Sequence, residues 1–568
     1  MRLRGLRGEG AALAALLVIA AVIYVAPLGL LARTALFEGG APTAAPVLEA
    51  LGDPSVRRAA WHSLESASLS GLIALTIGTA MALALGLTDI RGKGVFVFLL
   101  LLPMMIPPQV TAIAWLQALG PGSPLLKALG LAPPPGTAHP LHSREGIIAL
   151  LSLQHTPLVL LVVLAGLRAL PREMSDSARV AGAGARRLIG RIILPLIAPG
   201  LIAAGALAFV SALGNFGIPA ILGIPARYAT LPVIVWRRLA AFGPDILQGV
   251  AAIAILLAII AVAALALQVV VQRRAGAALI GPPQPPLRIA LGPARPVVEG
   301  VVALYLAATL IFPIAALFAT ALVGTFGVPL TLETLTLDNF AEILLHQAVT
   351  LRAFANSTFA AGTASALLAV MAGLVAYFLS GRRPWAQRRG AGAIAALGDL
   401  GYAIPGIVIS IAFILAFIRP LPLIDVSVYN TIWIILLAYL AAFFSIALKP
   451  AVAAFGQIDP ALEDAARVSG AGFARRMRRI FAPLVAPSAA SGAILVFLTA
   501  YNEITVSALL WSTGNETIGT TIFNYEDGGY TALASAMSAV TVIVTAALML
   551  VLDRAGRRLP AGVVPWRL

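Results

Sequence analysis

The sequence predicts an all-α, polytopic membrane protein of about twelve transmembrane helices, arranged as two parallel six-helix pseudo-repeats. Three observations predict it. Hydrophobic residues make up 60% of the 568 and charged residues only 11%, too few charges to cover the surface of soluble domains. Runs long enough to cross a ~30 Å hydrocarbon layer recur along the whole chain. One loop sequence also occurs twice, 288 residues apart. A transmembrane β-barrel is excluded, because its strands alternate polar with apolar and these runs do not. There is no cysteine, which excludes disulfides, thiolate metal sites and thiol redox chemistry.

In chain order the apolar runs lie near 11–36, 64–88, 95–118, 146–167, 196–222 and 246–271, then near 297–323, 357–380, 392–418, 428–448, 484–511 and 530–552. The first follows Arg2, Arg4 and Arg7, as a secretory signal would, but exceeds the about 7–15 residues of such a core and is read as a retained span. The third and ninth are interrupted at Pro107-Pro108 and Pro405-Gly406, which predicts kinks or helix ends there. With both termini inside, the inner segments carry 29 of the 39 Lys and Arg residues, so the positive-inside rule places both termini in the cytoplasm. The net charge of +15 is then topological, with some attraction to anionic membrane lipid, and no nucleic-acid partner is expected.

The repeat carries most of the functional argument. Met174–Gly200 aligns with Leu462–Ser488 without a gap and agrees at 14 of 27 positions. Weaker echoes pair His62-Ser63 with Asn356-Ser357 and Ile106-Pro107 with Ile404-Pro405. The chain divides into a first half (1–280), a Pro-rich cytoplasmic linker (281–296) that acts as a semi-rigid spacer, and a second half (297–568). Six spans followed by six in one orientation relate the halves by an axis along the membrane normal. The repeated segments (173–195 and 461–483) are cytoplasmic loops. Each predicts a short amphipathic helix stopped by glycine, capped in the second copy by Asp459 with Pro460 at its first position. Two positive loops that only fix topology would explain the arginines. A helix offered to a cytoplasmic partner explains why Asp, Ala, Gly and Pro recur at the same spacing.

Asp176-Ser177-Ala178, Gly182, Ile192 and Leu194-Pro195, and again Asp464-Ala465-Ala466, Gly470, Ile480 and Pro483, resemble the EAA loop of ABC-transporter importer permeases: Glu-Ala-Ala, three residues, Gly, nine residues, Ile, one residue, Leu-Pro. Both copies have Asp for the Glu; Ser177 and Ala482 are the other departures. The resemblance covers the chain as two fused permease halves, of the ferric-iron and thiamine importer type. It implies that Asp176, Ser177, Ala178, Gly182, Asp464, Ala465, Ala466 and Gly470 couple the chain to two copies of one ABC ATPase on the cytoplasmic face. It also implies an extracytoplasmic substrate-binding protein and a bacterial inner-membrane location. Segments 213–225 and 505–530 resemble ferric-iron permeases, with thiamine, polyamine and aminophosphonate left open as permeants.

No Gly-x-x-x-x-Gly-Lys-[Ser/Thr] phosphate cradle occurs; the resemblance places ATP and Mg on the partner ATPase, and no cofactor or enzymatic activity is expected here. Polar residues in apolar spans are costly and read as functional. Under the 288-residue offset Asn215 falls on Glu503, and in the family this helix lines the path, so Asn215, Tyr501, Asn502 and Glu503 are candidates to face the permeant. A lone carboxylate there favours a cation; a structural cap at a helix end is the competing reading. Asp399 is a further intramembrane acid. Glu516, Glu526 and Asp527 lie in an outer segment read as a solvated loop or a binding-protein contact, and His139 and His142 in a solvated loop. The rival function is a secondary transporter driven by an ion gradient, with Glu503 or Asp399 as its proton site.

Overall fold

In the computed structural model, ten helices among the described residues are long and apolar enough to span a membrane, and two bent pairs add two more. The structure describes residues 2–168, 170, 172–241, 246–275, 289–381, 383–420, 425–556 and 563–564. The first half contains α1 (Gly8–Leu36), α2 (Pro54–Leu87), the pair α3 (Lys93–Met105) and α4 (Pro108–Ala128), α5 (Arg144–Arg168), a loop helix α6 (Arg172–Val180), α7 (Ala185–Leu213), a short α8 (Leu231–Leu239) and α9 (Ile246–Arg274). The second repeats this order: α10 (Gly292–Ala321), α11 (Ala348–Leu379), the pair α12 (Trp385–Ala403) and α13 (Gly406–Phe417), α14 (Ile432–Gly456), a loop helix α15 (Pro460–Val468) and α16 (Phe473–Tyr501). The short α17 (Ser507–Leu510) and α18 (Ile518–Asp527) then precede α19 (Thr531–Gly556).

Proline sets the same breaks in both halves. Ile106 and Ile404 precede a proline and are extended (ψ 134° and 129°), and Pro107 and Pro405 follow at ψ 139° and 138°, because the pyrrolidine ring disfavours the helical region for the residue before it. The result is sharper than a kink: the helices turn by 103° and 114°. The carbonyl that Pro107 cannot satisfy, Pro103 O, accepts from Ile106 N at 3.3 Å and from the side chain of Gln154 on α5, whose Nε2 donates at 3.2 Å. At four other sites the chain absorbs proline with one wider turn. Such π-helical turns span Ala21–Val25 and Ala307–Ile311, before Pro27 and Pro313, and Ile189–Ile193 and Met477–Phe481, before Pro195 and Pro483.

The His62-Ser63 and Asn356-Ser357 echo has a structural reason. These residues do not open the second spans, which begin earlier at Pro54 and Ala348. Instead Ser63 Oγ accepts the first N–H of α8 (Leu231, 2.8 Å) and Ser357 Oγ the first N–H of α18 (Ile518, 2.9 Å). Each serine satisfies an otherwise orphaned helix-end donor inside an apolar bundle.

The fifth and eleventh spans are shorter than the runs 196–222 and 484–511 suggest. Their helices stop at Leu213 and Tyr501, so Asn215 and Glu503 lie in the turns that follow. Of the linker, residues 281–288 lie outside the described residues. Its end is pinned rather than free: Ile289 pairs with Thr88 in an isolated parallel bridge, the Leu291 N–H donates to Asp89 at 2.9 Å, and Arg295 pairs with the same carboxylate. Helix α1, though first in sequence, packs on the second half; Tyr24 donates its hydroxyl to Ala441 O at 3.0 Å and Gly390 faces Leu13. One continuous apolar core runs through both halves.

Candidate functional site

Two features are repeated, a pair of loop helices and a pair of turns at a central cavity. On the loop helices, Asp176, Ser177, Asp464 and Ala465 are exposed, Ala178 is half-buried and Ala466 is buried. Gly182 and Gly470 take left-handed backbone (φ 80° and 76°). Their N–H groups bond Arg179 O and Arg467 O, and the next residues bond Ala178 O and Ala466 O. This closure ends a helix at a residue without a side chain. The Asp459 carboxylate caps α15 by accepting from Ala461 N at 2.9 Å; the first copy's Pro171 lies outside the described residues. Each helix also presents a valine to the outside at one equivalent position, Val180 at 91% and Val468 at 90% exposure.

Between the halves lies a cavity of about 300 Å³. Asn215 and Glu503 both line it, each from the turn after its long helix. Each also caps the backbone beyond: Asn215 Oδ1 accepts from Ile218 N at 3.1 Å, and the Glu503 carboxylate accepts from Val506 N at 2.5 Å and Ser507 N at 3.1 Å. The capping and the lining readings of Glu503 therefore describe one residue. Asn502 joins them with its amide bonded to Leu498 O and its Oδ1, buried at the cavity, without a hydrogen-bond partner. Tyr501 is corrected: it is buried beside Phe497, with ring centroids 5.4 Å apart, and does not line the cavity.

The remaining polar lining was missed from sequence. Gln154 and His155 face the cavity from α5, where the second half has Ala442 and Phe443. A search for polar residues in both copies passes over such positions; the polar run Ser152–Thr156 inside an apolar span was the available signal. Glu503 is the one acid and His155 the one imidazole among the lining residues, which include no Lys or Arg.

Three outlying candidates resolve structurally. Asp399 accepts from Ser445 Oγ at 2.5 Å and lies 3.8 Å from Lys449, within its own half. Glu516 is not solvated: it is buried, pairs with Arg352 at 3.2 Å and accepts Gly514 N at 3.0 Å. His139 is half-buried, with both ring nitrogens bonded to main chain (Leu116 O and Leu141 N, 3.1 Å each), and burial lowers its pKa. The described residues contain no group of three or more His, Asp or Glu that could hold a metal.

Comparison with known proteins matches residues 74–276 and 385–564 to the binding-protein-dependent transport system inner membrane component. A probable ABC transporter permease protein of Sinorhizobium fredii is 25% identical over 90% of this chain and 89% of its own length. A ferric transport system permease protein of Actinobacillus pleuropneumoniae is 22% identical over 97% of this chain and 79% of its own. A probable molybdenum ABC transporter permease protein of Haloferax volcanii is 31% identical over 36% of this chain and 74% of its own.

Proposed function

As the chain belongs to the binding-protein-dependent transport system inner membrane components and is an ABC importer permease subunit, we propose that it carries ferric iron inward between its fused halves. The observation that carries the substrate reading is the cavity lining, with one carboxylate, one open amide oxygen and no Lys or Arg. In a low-dielectric path such a lining opposes an oxyanion and accepts a cation. The ferric relative, which spans nearly the whole chain, supports the same reading. Molybdate is the second reading, favoured by the higher identity of the molybdenum relative over its shorter match.

In this mechanism a homodimeric ABC ATPase docks on α6 and α15, which act as coupling helices, with both termini on that cytoplasmic side. An external binding protein delivers the permeant. ATP binding closes the ATPases, moves the two helices and opens the cavity outward; hydrolysis returns it inward. ATP and Mg belong to the partner. The ion-coupled alternative does not use the doubled loop helix.

The test is uptake by the chain reconstituted with the ATPase and binding protein that co-purify with it. ATP-dependent uptake of ferric iron and not molybdate is expected. Molybdate uptake alone transfers the assignment to the oxyanion, and flux driven by a proton gradient without ATP overturns the importer reading.

A further inference from the structure

The second loop helix is held to the bundle by a cluster of buried charges. Glu463, on the inner side of α15, forms a two-pronged pair with Arg383, 2.7 Å on each arm. The Arg383 side chain is 2% exposed and stacks 3.7 Å over the Tyr377 ring. The Tyr377 hydroxyl lies 3.1 Å from carboxylate oxygens of both Glu463 and Glu9. Glu9, in turn, pairs with Arg476, which also reaches Glu463 at 3.5 Å. Arg467 closes the rim, 3.0 Å from Glu463 and 3.7 Å from Glu9. Two carboxylates and three guanidiniums thus pair around a tyrosine, and removing either carboxylate leaves the buried Arg383 or Arg476 charge without its main partner.

Two facts make this more than a local staple. Glu9 belongs to α1, so the first half anchors the loop helix of the second. In the first loop, the positions equivalent to Glu463 and Arg476 are Ser175 and Leu188, so the same anchor cannot form there.

We propose that Glu9 is a positioning residue for the second coupling helix, so that α15 moves with the bundle and with α1 of the first half. The proposal rests on the coupling-helix reading above. The anchor ties the α15 axis to α1, α11 and α16, so a push from the ATPase reaches three spans at once. Glu9 does not line the cavity; it acts through Arg476, Tyr377 and Arg467.

The chain has no cysteine, so Val180→Cys and Val468→Cys each give one site for a spin label, both on exposed positions. Label mobility is measured on the purified full chain before the ATPase is added, in backgrounds with Glu9 and with Glu9→Gln, on the folded fraction only; transport per ATP is measured with the ATPase bound. The label at 468 is expected to become mobile in Glu9→Gln while that at 180 does not change. Permeant moved per ATP hydrolysed should fall by about five- to tenfold, the size of an ordinary allosteric coupling, with ATPase turnover retained. Arg467→Met, at the exposed rim, should produce the same pattern more weakly and guards against a Glu9 variant that fails to fold. An unchanged label at 468, equal loosening at both sites, or an intact transport-to-ATP ratio overturns the proposal. Addition of the ATPase that immobilises neither label overturns the docking reading itself, which separates the two failures.

Discussion

At the scale of single residues, Glu503 performs two tasks that one substitution can separate. Its carboxylate accepts two backbone N–H groups of the α17 turn and also presents the cavity's one acid. Glu503→Gln keeps one acceptor and removes the charge; the lost backbone bond costs about 1 kcal/mol, which leaves folded yield nearly intact. Uptake is expected to fall at least about tenfold, an effect of ~1.4 kcal/mol on transport. Unchanged uptake in the reconstituted system removes Glu503 from the path. Packing next to it is equally specific. A Cβ on Gly519 would lie 2.7 Å from Glu503 O and 3.1 Å from Gln109 Nε2, so Gly519→Ala should destabilise by about 1–3 kcal/mol. Gly392, with nothing within 4 Å, should tolerate alanine or gain ~0.5–1 kcal/mol. Thermal unfolding of the two variants, measured side by side, checks the opposite signs. The Asn215 and Glu503 pair was legible because both copies of the repeat are polar there. Gln154 and His155 were not, because their counterparts Ala442 and Phe443 are apolar. Tyr501 was misplaced because a helix rotates consecutive residues by about 100°, so adjacency to Asn502 does not put it on the same face.

At the scale of elements, the loop helices depend on their glycine stops. Gly182 and Gly470 are left-handed with nothing within 4 Å, so a side chain there meets backbone strain and not a clash, at about 1–2 kcal/mol. Gly470→Val should therefore fray the end of α15 without unfolding the bundle. ATP hydrolysis should continue while uptake falls several-fold, measured as permeant per ATP; uptake at the normal rate ends the coupling role for that half. The second helix also carries a pH signature. Burial raises the Glu463 pKa, but the Arg383, Arg467 and Tyr377 contacts outweigh it and hold the carboxyl below its ordinary value. A lowered folded-state pKa gives stability present above the ordinary glutamate range and lost as pH falls through the depressed value. Mobility of a label at position 468 should rise on acidification below that range, and the rise should be absent where Glu463→Gln has already removed the titrating group. The helices themselves were legible from apolar runs and proline pairs. Their ends were not: α7 and α16 stop where Asn215 and Glu503 cap the next turn, although hydropathy continues past both. Local hydrogen bonds decide such ends, and a hydropathy window does not see them.

At the scale of the whole molecule, the question is what holds two permease halves in register. The sequence assigns that to a proline-rich tether, but the described end of the linker is bonded into the first half. Ile289 extends Thr88, and Asp89 receives both the Leu291 N–H and the Arg295 guanidinium, contacts that hold its pKa below the ordinary aspartate range. Helix α1 crosses to the second half, and a shared core fills the space between. With so much apolar surface buried between the halves, the covalent tether adds effective concentration and little else. A protease site placed within 276–288, cut after purification in mild detergent, should therefore leave the halves migrating together at the elution volume of the uncut chain. Asp89→Asn in the cut protein should loosen the pinned segment without separating the halves, and acidification should do the same, because that contact is lost as pH falls through the lowered Asp89 value. Halves that separate on cleavage alone would show that the tether, and not the crossing helix and shared core, keeps the two repeats facing one cavity.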